Sequence, residues 1–113
     1  MHVLSIAQAL VEQLQGIAAR EGASRITEIH LRVGALSGVD PEALRLAFPV
    51  AAEQSIAEDA VLSMTEVPAG GTCLDCNRKT IAEFPLPLCE HCKSTRLDVT
   101  TGRDLVIQTV DLV

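Results

Sequence analysis

Residues 73–92 read CLDCNRKTIAEFPLPLCEHC and contain every cysteine of the chain, in two CxxC pairs separated by twelve residues. Each CxxC pair can turn two sulfurs towards one point, and two such pairs complete a tetrahedron. Four thiolates in that arrangement favour zinc, and a closed site leaves no position open for water or substrate. The spacing therefore predicts a structural zinc site, formed by Cys73, Cys76, Cys89 and Cys92.

Three other interpretations of the cysteine pattern stay open. A rubredoxin-like iron site would use the same four thiolates, a redox or catalytic zinc would need an accessible ligand position, and disulfides would need an oxidising compartment. The amino terminus, MHVLSIAQALVEQLQG, has neither a basic leader nor a small-residue cleavage pattern, so we expect no signal peptide. We therefore expect reducing, cytoplasmic surroundings, in which paired cysteines bind metal more often than they form disulfides.

The segment before the cysteines begins with a helical repeat of apolar residues. This repeat predicts a first helix over 5–21, with Ser5 and Gln8 as a capping box and Gly22 as the stop signal. Alternation over 25–33, with Ile29, Leu31 and Val33 on one face and Glu28, His30 and Arg32 on the other, then predicts a half-buried strand.

A second helix and two further strands are expected along the rest of the chain. Asp40 should cap the helix and Pro41 should occupy its first turn. Pro49 removes a backbone donor and should kink or shorten that helix. The segments 60–67 and 105–112 are expected to form the two strands.

These elements predict an α+β fold, with two helices on a three-stranded sheet and an inserted zinc-ribbon domain. The sheet domain would comprise residues 1–67 plus 104–113, and the zinc-ribbon domain would comprise residues 68–103, with Gly70 and Gly71 as a hinge. Because the ribbon segment has few hydrophobic residues, metal binding should supply most of its stability.

The composition narrows the range of functions. The chain has 113 residues, 48% of them hydrophobic, with two Phe, no Tyr, no Trp and a net charge of −6. Such a chain can bury an aliphatic core, but it repels phosphates and lacks aromatic platforms for base stacking. No apolar run is long enough to span a membrane. We therefore expect no binding to nucleic acid and no membrane insertion.

The first two residues, Met1 and His2, offer a second kind of metal chemistry. The terminal amine, the backbone nitrogen of His2 and its imidazole can share one ion through small chelate rings. Square-planar, nitrogen-rich surroundings of this kind suit Ni(II) or Cu(II) rather than zinc. Three other residues have simpler explanations: Asp40 as a helix cap, His30 as a surface histidine, and His91 as a second-shell or solvent-facing residue that could replace a thiolate at some pH.

The whole chain resembles the HypA/HybF family of hydrogenase nickel-maturation proteins. The matching features are the opening MH, the stretches GALSGVDPEAL and FPVAAEQSIAEDAVL, the pairs CLDC and CEHC, and the closing GRDLVIQTVDL. The resemblance implies a nickel metallochaperone, not an enzyme, that hands nickel to a hydrogenase large-subunit precursor. It also implies a HypB-type GTPase as partner, urease maturation proteins as alternative partners, and zinc on the four cysteines.

The resemblance also implies a nickel site at the N-terminus. Its ligands would be His2, the Met1 amine and the backbone nitrogen of Val3, with Asp40 as a nearby ligand or support. The family opens Met-His-Glu, so Val3 keeps the backbone nitrogen and loses a carboxylate. Some members flank their cysteine pairs with His and exchange zinc ligands with pH, and we do not expect that exchange here because neither pair is followed by His.

Two other functional classes are alternatives to a nickel metallochaperone. A zinc-ribbon interaction module without transferable metal would contain the same four cysteines and an incidental His2. A zinc-dependent hydrolase would need an open metal position and a general base, and the sequence has no HExxH motif. It also has no phosphate-binding glycine loop, so we expect any nucleotide hydrolysis to come from a partner.

Overall fold

The computed structural model describes residues 2–82 and 87–113, which form two helices and six strands. In chain order the elements are α1 (Val3–Arg20), β1 (Ile26–Gly34), α2 (Pro41–Ala52), β2 (Val61–Val67), β3 (Ala69–Cys73), β4 (Lys79–Ala82), β5 (Leu97–Thr101) and β6 (Leu105–Leu112). The strands form two three-stranded sheets with the orders β2-β1-β6 and β4-β3-β5. The predicted α+β class, with two helices and a separate small sheet around the cysteines, is confirmed.

The first sheet has β1 at its centre, parallel to β2 and antiparallel to β6. The predicted alternation holds along β1, since Ile29, Leu31 and Val33 are buried against the helices. α1 and α2 pack against each other and against this face, and the core is almost wholly aliphatic. The opposite face carries polar side chains, among them His30, whose ring nitrogens lie within hydrogen-bonding distance of the hydroxyls of Ser63 and Thr65.

The two helix starts differ from each other. α2 begins as predicted, because Asp40 Oδ1 accepts a hydrogen bond of 3.0 Å from the backbone N–H of Glu42 and Pro41 occupies the first turn. The capping box predicted at Ser5 is wrong. α1 begins earlier, with His2 as its N-cap residue and no hydrogen bond from a capping side chain.

The two helix ends follow different rules. α1 ends as predicted, since Gly22 adopts a φ of 66° and the N–H of Ala23 reaches back to the carbonyl of Ala18. The prediction that Pro49 shortens α2 is wrong, because the helix continues through this residue. α2 continues to Ala52, where a buried side chain holds the last turn against the core.

The second sheet lies entirely between residues 69 and 101 and carries the cysteines at one end. Gly70 and Gly71 lie inside β3, paired with both neighbouring strands, so their interpretation as a hinge is wrong. Glycine is needed at position 71 because a Cβ there would lie 1.9 Å from the carbonyl oxygen of Asp98. The bounds predicted for the two domains stay a prediction.

The two sheets are instead joined where the end of β1 meets the connection from β2 to β3 and the connection from β5 to β6. The N–H groups of Gly34, Ala35 and Leu36 donate to the carbonyls of Asp104, Val67 and Gly102, at 2.7 to 2.9 Å. A Cβ on Gly34 would lie 2.3 Å from the carbonyl oxygen of Gly102. Only glycine therefore allows the three segments to approach this closely.

Candidate metal centre

The four cysteines lie in two turns of matching backbone geometry, the first knuckle (residues 73–78) and the second knuckle (residues 89–94). In the first knuckle, the N–H of Cys73 donates to the carbonyl of Arg78, and the N–H of Asn77 donates to the carbonyl of Cys73, both at 2.9 Å. The second knuckle repeats these bonds in its own residues: Cys89 to Ser94 at 2.8 Å and Lys93 to Cys89 at 2.9 Å. The repeat explains why two CxxC pairs present their sulfurs in the same way.

Both knuckles turn through a left-handed residue at the fifth position. Asn77 has a φ of 59° and Lys93 a φ of 64°. Asn tolerates this conformation, whereas a lysine is strained there. The two turns are thus alike in geometry and unequal in how well their sequences suit it.

The four sulfur atoms converge on one point. They lie within 4.8 Å of one another, and two of the separations are 3.5 Å (Cys73 to Cys92) and 3.7 Å (Cys76 to Cys89). A disulfide would need about 2.0 Å. A tetrahedral zinc with Zn–S bonds of about 2.3 Å requires sulfur separations of about 3.8 Å. All four cysteines are free, and their arrangement fits a tetrahedral thiolate-bound metal.

The pKa values of the four thiols also indicate that the cluster would bind a cation. Burial opposes ionisation of Cys89, but backbone N–H groups of Cys92 and His91 outweigh it and lower the pKa of this thiol to about 6. A backbone hydrogen bond from Ser94 favours the Cys92 thiolate, but hydrogen bonding to Cys73 and burial outweigh it and raise its pKa to about 12. Crowded sulfurs therefore hold protons that a bound metal would displace.

The pKa values of the other two thiols, Cys73 and Cys76, are also shifted in opposite directions. Backbone hydrogen bonding from Cys76 is the main cause that lowers the pKa of Cys73. At Cys76 a backbone bond from Arg78 favours the thiolate, but burial and the neighbouring sulfurs of Cys73 and Cys89 raise its pKa. Each knuckle thus contributes one sulfur that ionises more readily than usual and one that resists ionisation.

Side chains of each knuckle also bind the opposite part of the ribbon. Asp75 accepts hydrogen bonds from Ser94 and, at 2.5 Å, from the guanidinium of Arg96. Glu90 Oε2 accepts a 2.8 Å hydrogen bond from the N–H of Ile81. Sequence reasoning did not single out these carboxylates, because their partners lie nine to 21 residues away in the chain.

The sequence predicts that the side chain of His91 faces solvent or lies beside the metal ligands without binding the metal. Its side chain is exposed, and Nε2 lies 3.1 Å from the carbonyl oxygen of Lys79. Its backbone N–H points at the sulfur of Cys89, at 3.4 Å. The backbone of His91 thus supports the cluster, while its ring bonds to the start of β4.

The residues predicted for nickel lie at the other end of the chain. His2 is exposed at the start of α1, Val3 is the first residue of that helix, and Met1 lies outside the described residues. Asp40 caps α2, and the adjacent Val39 lines a cavity of about 330 Å³ together with Ser5, Ile6 and other residues of α1 and β6. The beginnings of the two helices are therefore near each other. Among the described residues, the cysteines are the one group of three or more His, Cys, Asp or Glu ligands that converge.

No helix in the part of the chain that the structure describes is long and apolar enough to cross a membrane.

Comparison with known proteins places this geometry in context. The sequence model of a family described as "Hydrogenase/urease nickel incorporation, metallochaperone, hypA" matches residues 1–112. The hydrogenase maturation factor HypA of Chlorobium limicola is 38% identical over 112 residues, covering 99% of this chain and 97% of that protein. The factor of the same name from a Synechococcus strain is 40% identical over 116 residues, with both proteins covered completely.

The fold is also found among solved structures. The solution structure of the Ni metallochaperone HypA from Helicobacter pylori superposes with a TM-score of 0.72, at 23% identity, over 100% of this chain and 98% of that one. A second solution structure of a HypA protein gives the same TM-score over 97% of its length.

Proposed function

This chain belongs to the HypA family of hydrogenase and urease nickel-incorporation proteins, and we propose that it is a nickel metallochaperone rather than an enzyme. In this proposal the N-terminus binds Ni(II) and delivers it to a hydrogenase large-subunit precursor during maturation. A HypB-type GTPase assists the transfer, and urease maturation proteins are alternative partners. The four cysteines hold zinc, which stabilises the ribbon and is not transferred.

The observation that carries the nickel proposal is the open start of α1. The carbonyl of His2 accepts from the N–H groups of Ser5 and Ile6, at 3.1 and 3.3 Å. The amides of Val3 and Leu4 precede those donors, so they have no acceptor within the helix. A metal can replace the proton of such an amide without breaking a helical hydrogen bond.

The ligand chemistry at this position suits nickel. The imidazole of His2 is on an exposed residue and makes no capping hydrogen bond, so it is free to turn towards an ion. Together with the Met1 amine and the backbone nitrogen of Val3 it would supply a nitrogen-only set, which favours Ni(II) or Cu(II) over zinc. Because the set lies at a chain end, the metal can leave without unfolding the core, as delivery requires.

Asp40 would act as a support for this site. Its Oδ1 is engaged in capping α2, and its neighbour Val39 shares a cavity with the first turns of α1. A carboxylate there lowers the electrostatic cost of a divalent cation at the positive end of α1. We propose this role for Asp40 in addition to its capping role.

Charge distribution supports a division of labour between the two proposed domains. Residues 1–67 and 104–113 carry eleven acidic and four basic side chains, whereas residues 68–103 carry four acidic and five basic ones. The acidic domain would favour basic patches on a partner that receives nickel.

The proposal is tested by titrating zinc-loaded protein with Ni(II), followed by calorimetry and absorption spectroscopy. The variants are His2→Ala and a chain extended by residues before Met1. Both changes should abolish the tight nickel site and leave the zinc content unchanged, because one removes the imidazole and the other blocks the amine. His30→Ala is the matched control, since among the described residues its ring bonds to the hydroxyls of Ser63 and Thr65. Unchanged nickel affinity in either N-terminal variant contradicts the proposal and favours an interaction module without transferable metal.

A further inference from the structure

We propose that Asp75 and Glu90 are positioning residues of the four-thiolate site, each fastening its own knuckle to the end of the other knuckle or to the residues that follow it. This inference rests on the proposed zinc at the cysteines. It assigns to two side chains between the ligands the task of keeping the knuckles together, and thereby of slowing metal release.

The first fastening runs from the first knuckle to the exit of the second. Asp75 accepts from the hydroxyl of Ser94 through one carboxylate oxygen and from the guanidinium of Arg96 through the other. The backbone reinforces this contact, because the N–H of Leu74 donates to the carbonyl of Arg96 at 2.8 Å.

Ser94 connects this fastening to a ligand. Its carbonyl is the acceptor for the N–H of Cys89, at 2.8 Å. Its hydroxyl also accepts from the N–H of Arg96, at 3.0 Å. Asp75 therefore holds the residue that fixes the backbone of a buried cysteine in the opposite knuckle.

The second fastening runs in the reverse direction, from the second knuckle to β4. Glu90 Oε2 accepts from the N–H of Ile81 at 2.8 Å, and the N–H of Glu90 donates to the hydroxyl of Thr80 at 2.9 Å. The side chain of Thr80 is polar but buried, at 5% exposure, and among the described residues it is the one buried polar side chain. A buried hydroxyl with a defined partner fixes geometry better than an exposed one, so this fastening should be the more rigid.

Together the two fastenings control how the site can open. The sulfurs belong to two knuckles, so a metal leaves most easily when one knuckle moves off the other. That movement must break the bonds of Asp75, Glu90 or both. Hydrogen bonds that orient ligands in this way change metal affinity by about 10- to 100-fold when they are lost.

The test measures the rate at which zinc passes from the loaded protein to an excess of a chromogenic chelator. We expect Asp75→Ala and Glu90→Ala to accelerate zinc release by about tenfold each. Glu90→Gln keeps an oxygen that can accept from Ile81 and should restore a rate close to that of the unmodified protein. Asp75→Asn keeps only one of the two accepting oxygens and should release zinc at a rate between those of Asp75→Ala and the unmodified protein. Asp98→Ala is the matched control, because it removes an exposed carboxylate of the same sheet that forms no side-chain hydrogen bond among the described residues.

Two further measurements separate positioning from loss of the fold. Cobalt-loaded alanine variants should keep the absorption of tetrahedral thiolate coordination, which shows that the site still forms. In a double-mutant cycle, Asp75→Ala and Arg96→Met should be clearly non-additive, since each removes the same contact. Alanine variants with rates equal to that of Asp98→Ala, or a Glu90→Gln rate as fast as that of Glu90→Ala, would overturn the inference.

The same variants distinguish this inference from the proposed function. Nickel binding at the N-terminus should be unaffected by Asp75→Ala and Glu90→Ala. Faster zinc release together with no nickel site at His2 would overturn the nickel proposal and leave the positioning role intact. Failure of the cysteines to bind zinc or cobalt would overturn both the zinc assignment and the positioning role.

Discussion

The two knuckles and the first turn of α1 offer metal ligands in opposite ways. In the knuckles, the backbone around the sulfurs is hydrogen-bonded and side chains from each turn hold the other. At the start of α1, His2 lacks a capping hydrogen bond, and the helix has no acidic residue in its first turn. A site with many supporting bonds retains its metal, whereas a site with few can exchange it. This contrast supports the proposal that the cysteines retain their metal and that the N-terminus transfers its metal.

The largest expected effect is a loss of zinc affinity when one of the four cysteine ligands is removed. Cys89→Ser replaces a buried thiolate ligand with a hydroxyl that does not ionise. Zinc affinity should fall by more than the roughly 100-fold expected for loss of a second-shell partner, because a direct bond is lost. Competition with a chelator of known affinity measures the change, and circular dichroism should show that α1 and α2 persist.

The control for this substitution lies in the same knuckle. His91→Ala removes a ring whose hydrogen bond within residues 2–82 and 87–113 is to the carbonyl of Lys79. An exposed hydrogen bond contributes about 1 kcal/mol, so zinc affinity should change by several-fold at most. A loss as large as that of Cys89→Ser would show that His91 is itself a ligand.

The second effect is a pH dependence confined to the cysteine site. Cys76 and Cys92, whose pKa values are raised, are protonated at pH 7, so zinc must displace at least two protons. Zinc affinity should therefore fall about 100-fold for each pH unit of acidification. Below about pH 6 the Cys89 thiolate also takes up a proton, and the dependence should become steeper.

Calorimetry in buffers of different ionisation enthalpy counts the protons released. Release of fewer than two protons per zinc at pH 7 would contradict the raised pKa values of Cys76 and Cys92. The Cys89→Ser variant serves as the control, since it should lose the steeper dependence below pH 6 and retain the dependence above it.

The contrast between local and distant interactions also explains what could be predicted from sequence. The alternation of β1, the cap at Asp40 and the stop at Gly22 are local, and the structure confirms them. The turn within each CxxC pair is local in the same sense, whereas the convergence of the two pairs, whose sulfurs meet across 13 and 19 residues, follows from the general pattern of four-thiolate zinc sites. Within each of the local features, the residues that interact are only a few positions apart.

Features that depend on distant residues were missed or misread. The close approach of Gly71 to Asp98 and the junction of Gly34 with Gly102 join residues that are far apart in sequence. A glycine pair in a strand therefore resembled a hinge, and the real junction was not recognised. The fastenings by Asp75 and Glu90 were missed for the same reason, while the nickel ligands at His2 and Val3 stay a prediction.

The third prediction concerns Val3→Glu, a substitution that gives the first turn of α1 an acidic residue like that of α2. α2 has Asp40 as its cap and Glu42 in its first turn, whereas α1 begins with Val3. A carboxylate at this position offsets the positive helix end and favours a cation by about 0.3–1 kcal/mol. Val3→Glu should therefore tighten nickel binding by about two- to fivefold.

Val3→Gln provides the control, because it has nearly the same size as the glutamate without its charge. The gain of Val3→Glu over Val3→Gln should shrink as salt is raised, since exposed charges are screened. Equal affinities of the two variants at low salt would show that the carboxylate does not act on nickel.

The smallest expected effect compares the two knuckles with each other. Lys93 is held in the left-handed region by the turn, at a cost of about 1–2 kcal/mol, whereas Asn77 tolerates the equivalent position. Glycine removes this strain but loses about 0.5–1 kcal/mol of chain entropy, which leaves a net gain of about 0.5 kcal/mol. Because zinc binding and folding of the ribbon are coupled, Lys93→Gly should raise zinc affinity by about twofold, and Asn77→Gly by less. Both variants keep the N–H that donates to the first cysteine of the knuckle. Weaker zinc binding by Lys93→Gly in the chelator competition would show that the lysine side chain contributes more to the second knuckle than its backbone strain costs.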